Sequence, residues 1–123
     1  MGTLRDLLGE APGAVLLVSP PDTALAEAAT LKPRPSIASG MRTAEPATTI
    51  IWWPEADALT PSALNRLRWM LENGKGIGWI VLDPDEGLPP VAEVAPSLIE
   101  AGLRLQDERA LPSGETAVEV RAV

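Results

Sequence analysis

Three continuous apolar runs, separated by helix-like segments, are the feature that most constrains the fold of this chain. The runs are AVLLV (14–18), TTIIWW (48–53) and IGWIVL (77–82). None of them alternates apolar with polar residues over its length, which is typical of strands that are buried on both faces. Strands of this kind that alternate with helices predict a mostly parallel sheet covered by helices on both faces.

The helical segments have recognisable start and stop residues. A short helix is predicted over 3–9, and Asp22 is expected to cap a second helix through TALAEAATL. The clearest helix comes after the second strand, with Thr60 as its cap, Pro61 in its first position and Gly74 just past its end. The first predicted helix precedes the first strand, and each of the other two connects one strand to the next.

Three weaker segments complete the order. Prolines interrupt 32–47, where a short strand around 36–38 and a turn of helix fit a parallel sheet. The segment 91–102 predicts a helix that Pro96 breaks or kinks, and 103–123 predicts an antiparallel hairpin at one edge. We therefore expect one α/β domain over 1–123, a three-layer Rossmann-like fold with a C-terminal hairpin.

Composition narrows the chemistry that this domain can perform. The chain of 123 residues has no Cys, His, Tyr or Phe, so the commonest general base, the commonest transition-metal ligand and a thiolate nucleophile are all missing. The net charge of −7 argues against general binding to nucleic acid, which needs clustered Lys and Arg. We expect no catalytic residue, metal or cofactor, and no nucleic-acid partner.

The sequence also predicts where the protein resides. There is no apolar run of transmembrane length, the first residues lack a secretory signal, and Asp6 stands where a myristoylation signal has Ser or Thr. We expect a cytoplasmic protein without membrane contact.

From the second strand onward, the chain resembles known proteins. A strand, a helix, a strand, a helix and a C-terminal hairpin look like the second half of the class I methyltransferase-type Rossmann fold. The segments IIWWPEAD, GWIVL and EVAPSLIEAGLRL also resemble a small bacterial family of unknown function, in which a strand ends in paired tryptophans. The resemblance covers about 48–123, brings no established activity with it, and rests chiefly on Trp52, Trp53, Trp79, Ala101, Gly102 and Leu103.

Two loops depart from the methyltransferase pattern. Such enzymes need a Gly-rich turn after the first strand, where this chain has VSPPDT. Methyltransferases acting on nitrogen often carry an Asn or Asp, Pro, Pro, aromatic loop after the fourth strand, where this chain has WWPEAD. The resemblance therefore implies the scaffold of a methyltransferase without its site.

Polar and aromatic residues near the predicted strand ends are candidates for ligand binding, because ligands bind at this edge of parallel sheets. Acids come after two strands and also suit Mg²⁺ or Ca²⁺, although acids equally favour loops and helix N-termini. Of the paired tryptophans, we expect one to be core and Trp53 to lie at the strand end. The candidates are Ser19, Asp22, Trp53, Glu55, Asp83 and Asp85, with Asp57 and Glu86 beside them.

A basic segment is a candidate anion site. Lys32, Arg34 and Arg42 have no acid among them, and Ser36 and Ser39 add donors. The alternative is a solvated loop that carries some of the few cations of the chain.

Trp69 is the candidate for an interface. On a helix it lies away from the apolar stripe, beside Arg66 and Glu72, and Trp and Arg are typical interface anchors. The alternative is that Trp69 folds over a neighbouring loop, whereas Trp79 is expected in the core.

The favoured function is a non-catalytic protein that binds another protein chain, including a second copy of itself. The alternative is a protein that binds a nucleotide or an S-adenosylmethionine-like ligand, or a divergent transferase.

Overall fold

The computed structural model describes residues 3–8, 13–31 and 34–123, and its elements lie in the predicted order. The helices are α1 (Thr3–Leu8), α2 (Asp22–Ala28), α3 (Pro61–Gly74) and α4 (Val91–Glu100). The strands are β1 (Val15–Val18), β2 (Ser36–Ala38), β3 (Thr49–Trp52), β4 (Ile77–Leu82), β5 (Leu103–Ala110) and β6 (Thr116–Ala122). Short 3₁₀ turns at Met41–Thr43 and Pro84–Glu86 come after β2 and β4.

The six strands form one mixed sheet in the order β2-β1-β3-β4-β6-β5. The four strands from β2 to β4 are parallel, β6 is antiparallel to β4, and β5 is antiparallel to β6. The predicted parallel sheet with a C-terminal hairpin at one edge is therefore confirmed. The strand predicted in the proline-rich segment is also present, as β2, and it forms the opposite edge.

Helices cover both faces of the sheet, because alternate residues of each central strand point to opposite sides. On one face, α3 and α4 pack on the sheet through Leu64, Leu67, Met70, Val94 and Leu98, which meet Ile50, Trp52 and Ile80. On the other face, α1 and α2 pack through Leu4, Leu7, Ala24 and Ala28, which meet Leu17, Ile51 and Trp79. Trp79 is only 1% exposed, as predicted for a core residue.

The start of α3 agrees with its sequence signals. The Thr60 hydroxyl accepts a hydrogen bond from the backbone N–H of Ala63 at 3.2 Å, and Pro61 is the first helical residue. Proline is favoured there because its missing N–H would have no partner inside the helix.

The end of α3 differs from the prediction. Gly74 is still helical, and Lys75 takes the left-handed position with φ of 51°. A Cβ atom on Gly74 would collide with the carbonyl oxygen of Ala47, and one on Gly76 with that of Thr48. Glycine is therefore required at position 74 for close approach between two chain segments, and not for a positive φ.

Two other helix boundaries also differ. Pro21, without a side-chain hydrogen bond, occupies the cap position of α2, so that Asp22 is the first helical residue and not the cap. Helix α4 continues through Pro96 to Glu100, so the predicted break does not occur. Gly102, with φ of 87°, lies just past the end of α4 as expected.

No helix within the described ranges is long and apolar enough to cross a membrane.

Candidate functional site

The strand order reverses between β1 and β3. The chain leaves β1 toward β2 on one side, and β3 lies on the other side of β1. In open parallel sheets, ligands bind outside the carboxyl ends of the strands at such a reversal of strand order. Val18 pairs with Trp52 at the ends of these two strands, so Ser19 and Trp53 come next, side by side.

The turn from β1 to α2 uses up its own hydrogen-bond donors. The backbone N–H of Ser19 donates to the carbonyl of Ala38, and its hydroxyl donates to the carbonyl of Ser39, both at 2.8 Å. Pro20 and Pro21 come next and have no N–H. From Ser19 to Pro21 the turn therefore has no donor left for an anionic group. The sequence did not indicate Ala38 and Ser39 as the acceptors, since they lie about twenty residues further along the chain.

Ser19 is also conformationally unusual, because its φ of 53° is one that side-chain-bearing residues rarely adopt. Its two hydrogen bonds to the segment after β2 hold it in this conformation. The strained residue thus anchors β2 to β1 beyond the end of the strand pairing.

The paired tryptophans point to opposite sides of the sheet. Trp52 is 2% exposed and packs in the cluster under α3 and α4. Trp53 is half-buried, comes directly after β3, and packs against the cluster under α1 and α2. Its backbone N–H donates to the carbonyl of Val18 at 3.1 Å, which extends the pairing of β1 with β3. The expected division into one core tryptophan and one at the strand end is confirmed in position.

The acids at the strand ends lie in two separate loops. Glu55 and Asp57 are exposed in the loop before α3, and Asp85 and Glu86 are exposed in the turn after β4. The carboxylate of Asp83 accepts the backbone N–H of Asp85 at 2.9 Å, so it caps its own turn. Within the ranges that the structure describes, no three acids are grouped so that they could hold a metal ion.

The basic candidates are spread along the chain. Lys32 lies outside the described residues, Arg34 precedes β2, and Arg42 lies in the 3₁₀ turn after it. The two arginines are exposed at opposite ends of β2, and the backbone carbonyl of Ser39 accepts a hydrogen bond from the Ser19 hydroxyl. An anion site formed by these residues stays a prediction.

Trp69 is the large aromatic residue that α3 presents to solvent, and it is 44% exposed. The guanidinium carbon of Arg66 lies 4.5 Å from the centre of its ring, and Nη2 of Arg66 donates to the carbonyl of Ala44 at 2.6 Å. The side-chain amide of Asn73 donates to the Trp69 carbonyl at 2.8 Å. Trp69 therefore stacks with Arg66, which itself reaches the loop before β3, while the rest of the ring faces solvent.

A small cavity of about 210 Å³ lies between α3 and α4. None of its lining residues belongs to the turn from β1 to α2. The lining residues are Leu59, Pro61, Leu64, Asn65, Ser97, Glu100 and Ala101.

Several solved structures share this fold, and methyltransferases are prominent among them. The chain is similar to the pyocyanin biosynthetic protein PhzM, with 13% identity and a TM-score of 0.62 over 98% of this chain and 46% of that one. It is similar to NcsB1, an O-methyltransferase from neocarzinostatin biosynthesis solved with S-adenosylmethionine, with 19% identity and a TM-score of 0.58 over 98% and 45%. It is also similar to the antibiotic-resistance methyltransferase Kmr, with 14% identity and a TM-score of 0.55 over 98% and 92%.

These similarities show the fold. The chain has a methyltransferase-like Rossmann scaffold, and it spans about half the length of PhzM and NcsB1. No protein-family model matches the chain, and no curated protein sequence matches it. The resemblance to a small bacterial family with paired tryptophans therefore stays a prediction.

Proposed function

We propose that this chain is a non-catalytic protein that uses a methyltransferase-like scaffold to bind another protein chain. The observation that carries this proposal is the turn from β1 to α2. In Rossmann-like folds the turn after the first strand lets backbone N–H groups approach the cofactor, which requires glycine. Here Ser19 has already donated both of its hydrogens, and Pro20 and Pro21 have none to offer.

Side-chain chemistry at the same edge supports a non-catalytic role. The loop after β3 presents Glu55 and Asp57 to solvent, and the carboxylate of Asp83 is committed to its own turn. The chain contains no His, Cys or Tyr to serve as a base or nucleophile. Transfer of a methyl group needs an acceptor held in line with its donor, and the two carboxylates of this loop are exposed.

The surface that supports protein binding lies on the α3 side of the sheet. Trp69 and Arg66 form an ordered pair at the surface, and Trp and Arg are the side chains most often found at the energetic centre of interfaces. Because Arg66 is fixed by the carbonyl of Ala44, little side-chain entropy is lost when a partner covers the pair.

Tryptophan fluorescence tests the absence of a cofactor site. Trp53 lies directly after β3 beside Ser19, so a ligand in the crevice would alter its emission. In a Trp69→Phe variant, which removes the signal of the exposed tryptophan, S-adenosylmethionine and ATP are each expected to give no saturable quenching. A Trp53→Phe variant is the matched control for any change that arises elsewhere.

The second candidate function is a small-ligand binder or divergent transferase that uses Ser19, Trp53 and Asp83. It is favoured by the position of half-buried Trp53 at the reversal of strand order, where folds of this kind bind ligands. Saturable quenching that disappears in Trp53→Phe would support this candidate and overturn the non-catalytic proposal.

A further inference from the structure

The cavity between α3 and α4 is apolar on its inner side. Leu64 is buried, and Leu59 and Ala101, which also line the cavity, are half-buried. Its volume of about 210 Å³ is smaller than the range of about 300–1,000 Å³ that is usual for drug-sized ligands. The cavity therefore suits a molecule much smaller than a nucleotide or S-adenosylmethionine.

The outer side of the same cavity is polar. Asn65, Ser97 and Glu100 line it, and all three are exposed. Ser97 and Glu100 are three residues apart on α4, so their side chains lie on the same side of that helix. None of these three side chains makes a hydrogen bond or an ion pair within the described part of the chain. Their polar groups are therefore available to a ligand.

The charge at the cavity favours a cation. Among the described residues that line it, Glu100 carries the charge. The N-terminus of α3 and the C-terminus of α4 both border the cavity, and their partial charges oppose each other. Arg68, four residues after Leu64, is engaged by Glu72 at 3.1 Å and by the carbonyl of Val123 at 3.2 Å. The carboxylate of Glu100 is thus left to set the sign of the ligand.

We propose that this cavity binds a small primary ammonium ion that carries a short apolar chain. An ammonium group of this kind has three N–H donors. The carboxylate of Glu100, the amide oxygen of Asn65 and the hydroxyl of Ser97 provide an equal number of accepting groups. The apolar chain would cover Leu59 and Leu64 and remove their surface from water.

Other classes of ligand match these residues less well. A quaternary ammonium ion has no N–H donor and is recognised by aromatic rings, and no aromatic side chain is among the described residues that line the cavity. Calcium takes six to eight oxygen ligands, more than the side chains of Asn65, Ser97 and Glu100 offer. An anion would be repelled by Glu100.

Titration with n-pentylamine hydrochloride, followed by two-dimensional ¹H–¹⁵N NMR, tests the proposal. Saturable shifts are expected at the backbone amides of Leu64, Asn65 and Ala101. Sodium pentanoate has a chain of the same length and the opposite charge. It is expected to bind at least about fivefold more weakly, because Glu100 repels it.

Two glutamine variants locate the charge that matters. Glu100→Gln keeps the shape of the side chain and is expected to weaken the binding of pentylamine about fivefold, the upper end for an exposed ion pair. Glu93→Gln is the matched control, because Glu93 is an exposed acid on the same helix that does not line the cavity. It is expected to leave the dissociation constant unchanged, and the NMR spectra verify that both variants are folded.

A titration with pentylamine that does not saturate, an equal affinity for pentanoate, or equal losses in the two variants would each overturn this inference. The inference does not rest on the proposed function, because the cavity includes neither the turn from β1 to α2 nor Trp69. Its failure would leave the non-catalytic proposal standing, and saturable binding of S-adenosylmethionine would overturn that proposal without affecting this one.

Discussion

At the scale of residues, Trp52 and Trp53 show how one position along a strand changes the role of a side chain. Trp52 is enclosed between the sheet and α3, whereas Trp53 leaves part of its surface exposed at the strand end. The sequence predicted this division, because adjacent residues of a strand point to opposite faces and Pro54 ends the strand.

The two tryptophans should therefore differ in their contribution to stability. Trp52→Ala is expected to lower the free energy of unfolding by about 3–5 kcal/mol, the cost of a large cavity in a core. Trp53→Ala should cost about 1–2 kcal/mol, because half-buried Trp53 removes less apolar surface from water. Urea unfolding detected by far-UV circular dichroism measures both. Equal losses would contradict the placement of Trp52 in the core.

Gly74 and Lys75 mark where sequence reasoning fails at this scale. The sequence pattern predicts a left-handed glycine just past the helix, which is the usual way for helices to end. The structure instead uses Gly74 and Gly76 to let α3 and β4 approach the segment 47–48, and Lys75 adopts the left-handed conformation. Such close approach depends on contacts between distant segments, and local sequence patterns contain no signal for it.

Substitution of Gly76 tests this explanation. In Gly76→Ala the new methyl group meets the carbonyl oxygen of Thr48, so we expect a loss of about 1–3 kcal/mol in the free energy of unfolding. Gly40→Ala is the matched control, because its Cβ would meet nothing within 4 Å. That control should be neutral or stabilising by up to about 1 kcal/mol, since alanine restricts the unfolded chain. Similar losses in both variants would refute the close-approach role.

At the scale of elements, the strands were more predictable than the helix ends. Three continuous apolar runs identified β1, β3 and β4, and their order with helices predicted the parallel sheet. Strand β2 is only three residues long, Ser36–Ala38, and rests on pairing with β1, so its own sequence carries a weak signal. Helix α4 continues through Pro96 because Val94 and Leu98 on either side of it pack in the core, and this packing overrides local propensity.

Pro96 offers a test at this scale. It lies inside α4, and it removes an N–H that would bond to the carbonyl of Ala92 in an uninterrupted helix. Because the packed residues Val94 and Leu98 keep the helix intact, Pro96→Ala is expected to stabilise the chain by about 1–2 kcal/mol. Thermal and urea unfolding should agree on this gain. A loss of stability would show that the proline is required for the path of α4.

At the scale of the whole molecule, the chain combines a methyltransferase-like sheet with a strand-end turn that has no donors to spare. The candidate site was only partly predictable. Ser19, Trp53 and the acids were identified from their places after strands, but the hydrogen bonds from Ser19 to Ala38 and Ser39 depend on the parallel pairing of β1 with β2. Because β2 pairs with β1, the carbonyls of Ala38 and Ser39 lie within reach of Ser19 and accept both of its hydrogens.

Equilibrium unfolding in urea, with and without S-adenosylmethionine, tests the non-catalytic proposal most directly. The measurement needs no reporter residue near the turn, because any ligand that binds the folded chain alone raises the unfolding free energy. At roughly one hundred times its dissociation constant, a ligand adds about 2.7 kcal/mol. The proposal predicts that the urea concentration at the unfolding midpoint is the same in millimolar S-adenosylmethionine as in sodium chloride of equal ionic strength. A midpoint that rises with the logarithm of the cofactor concentration would contradict it.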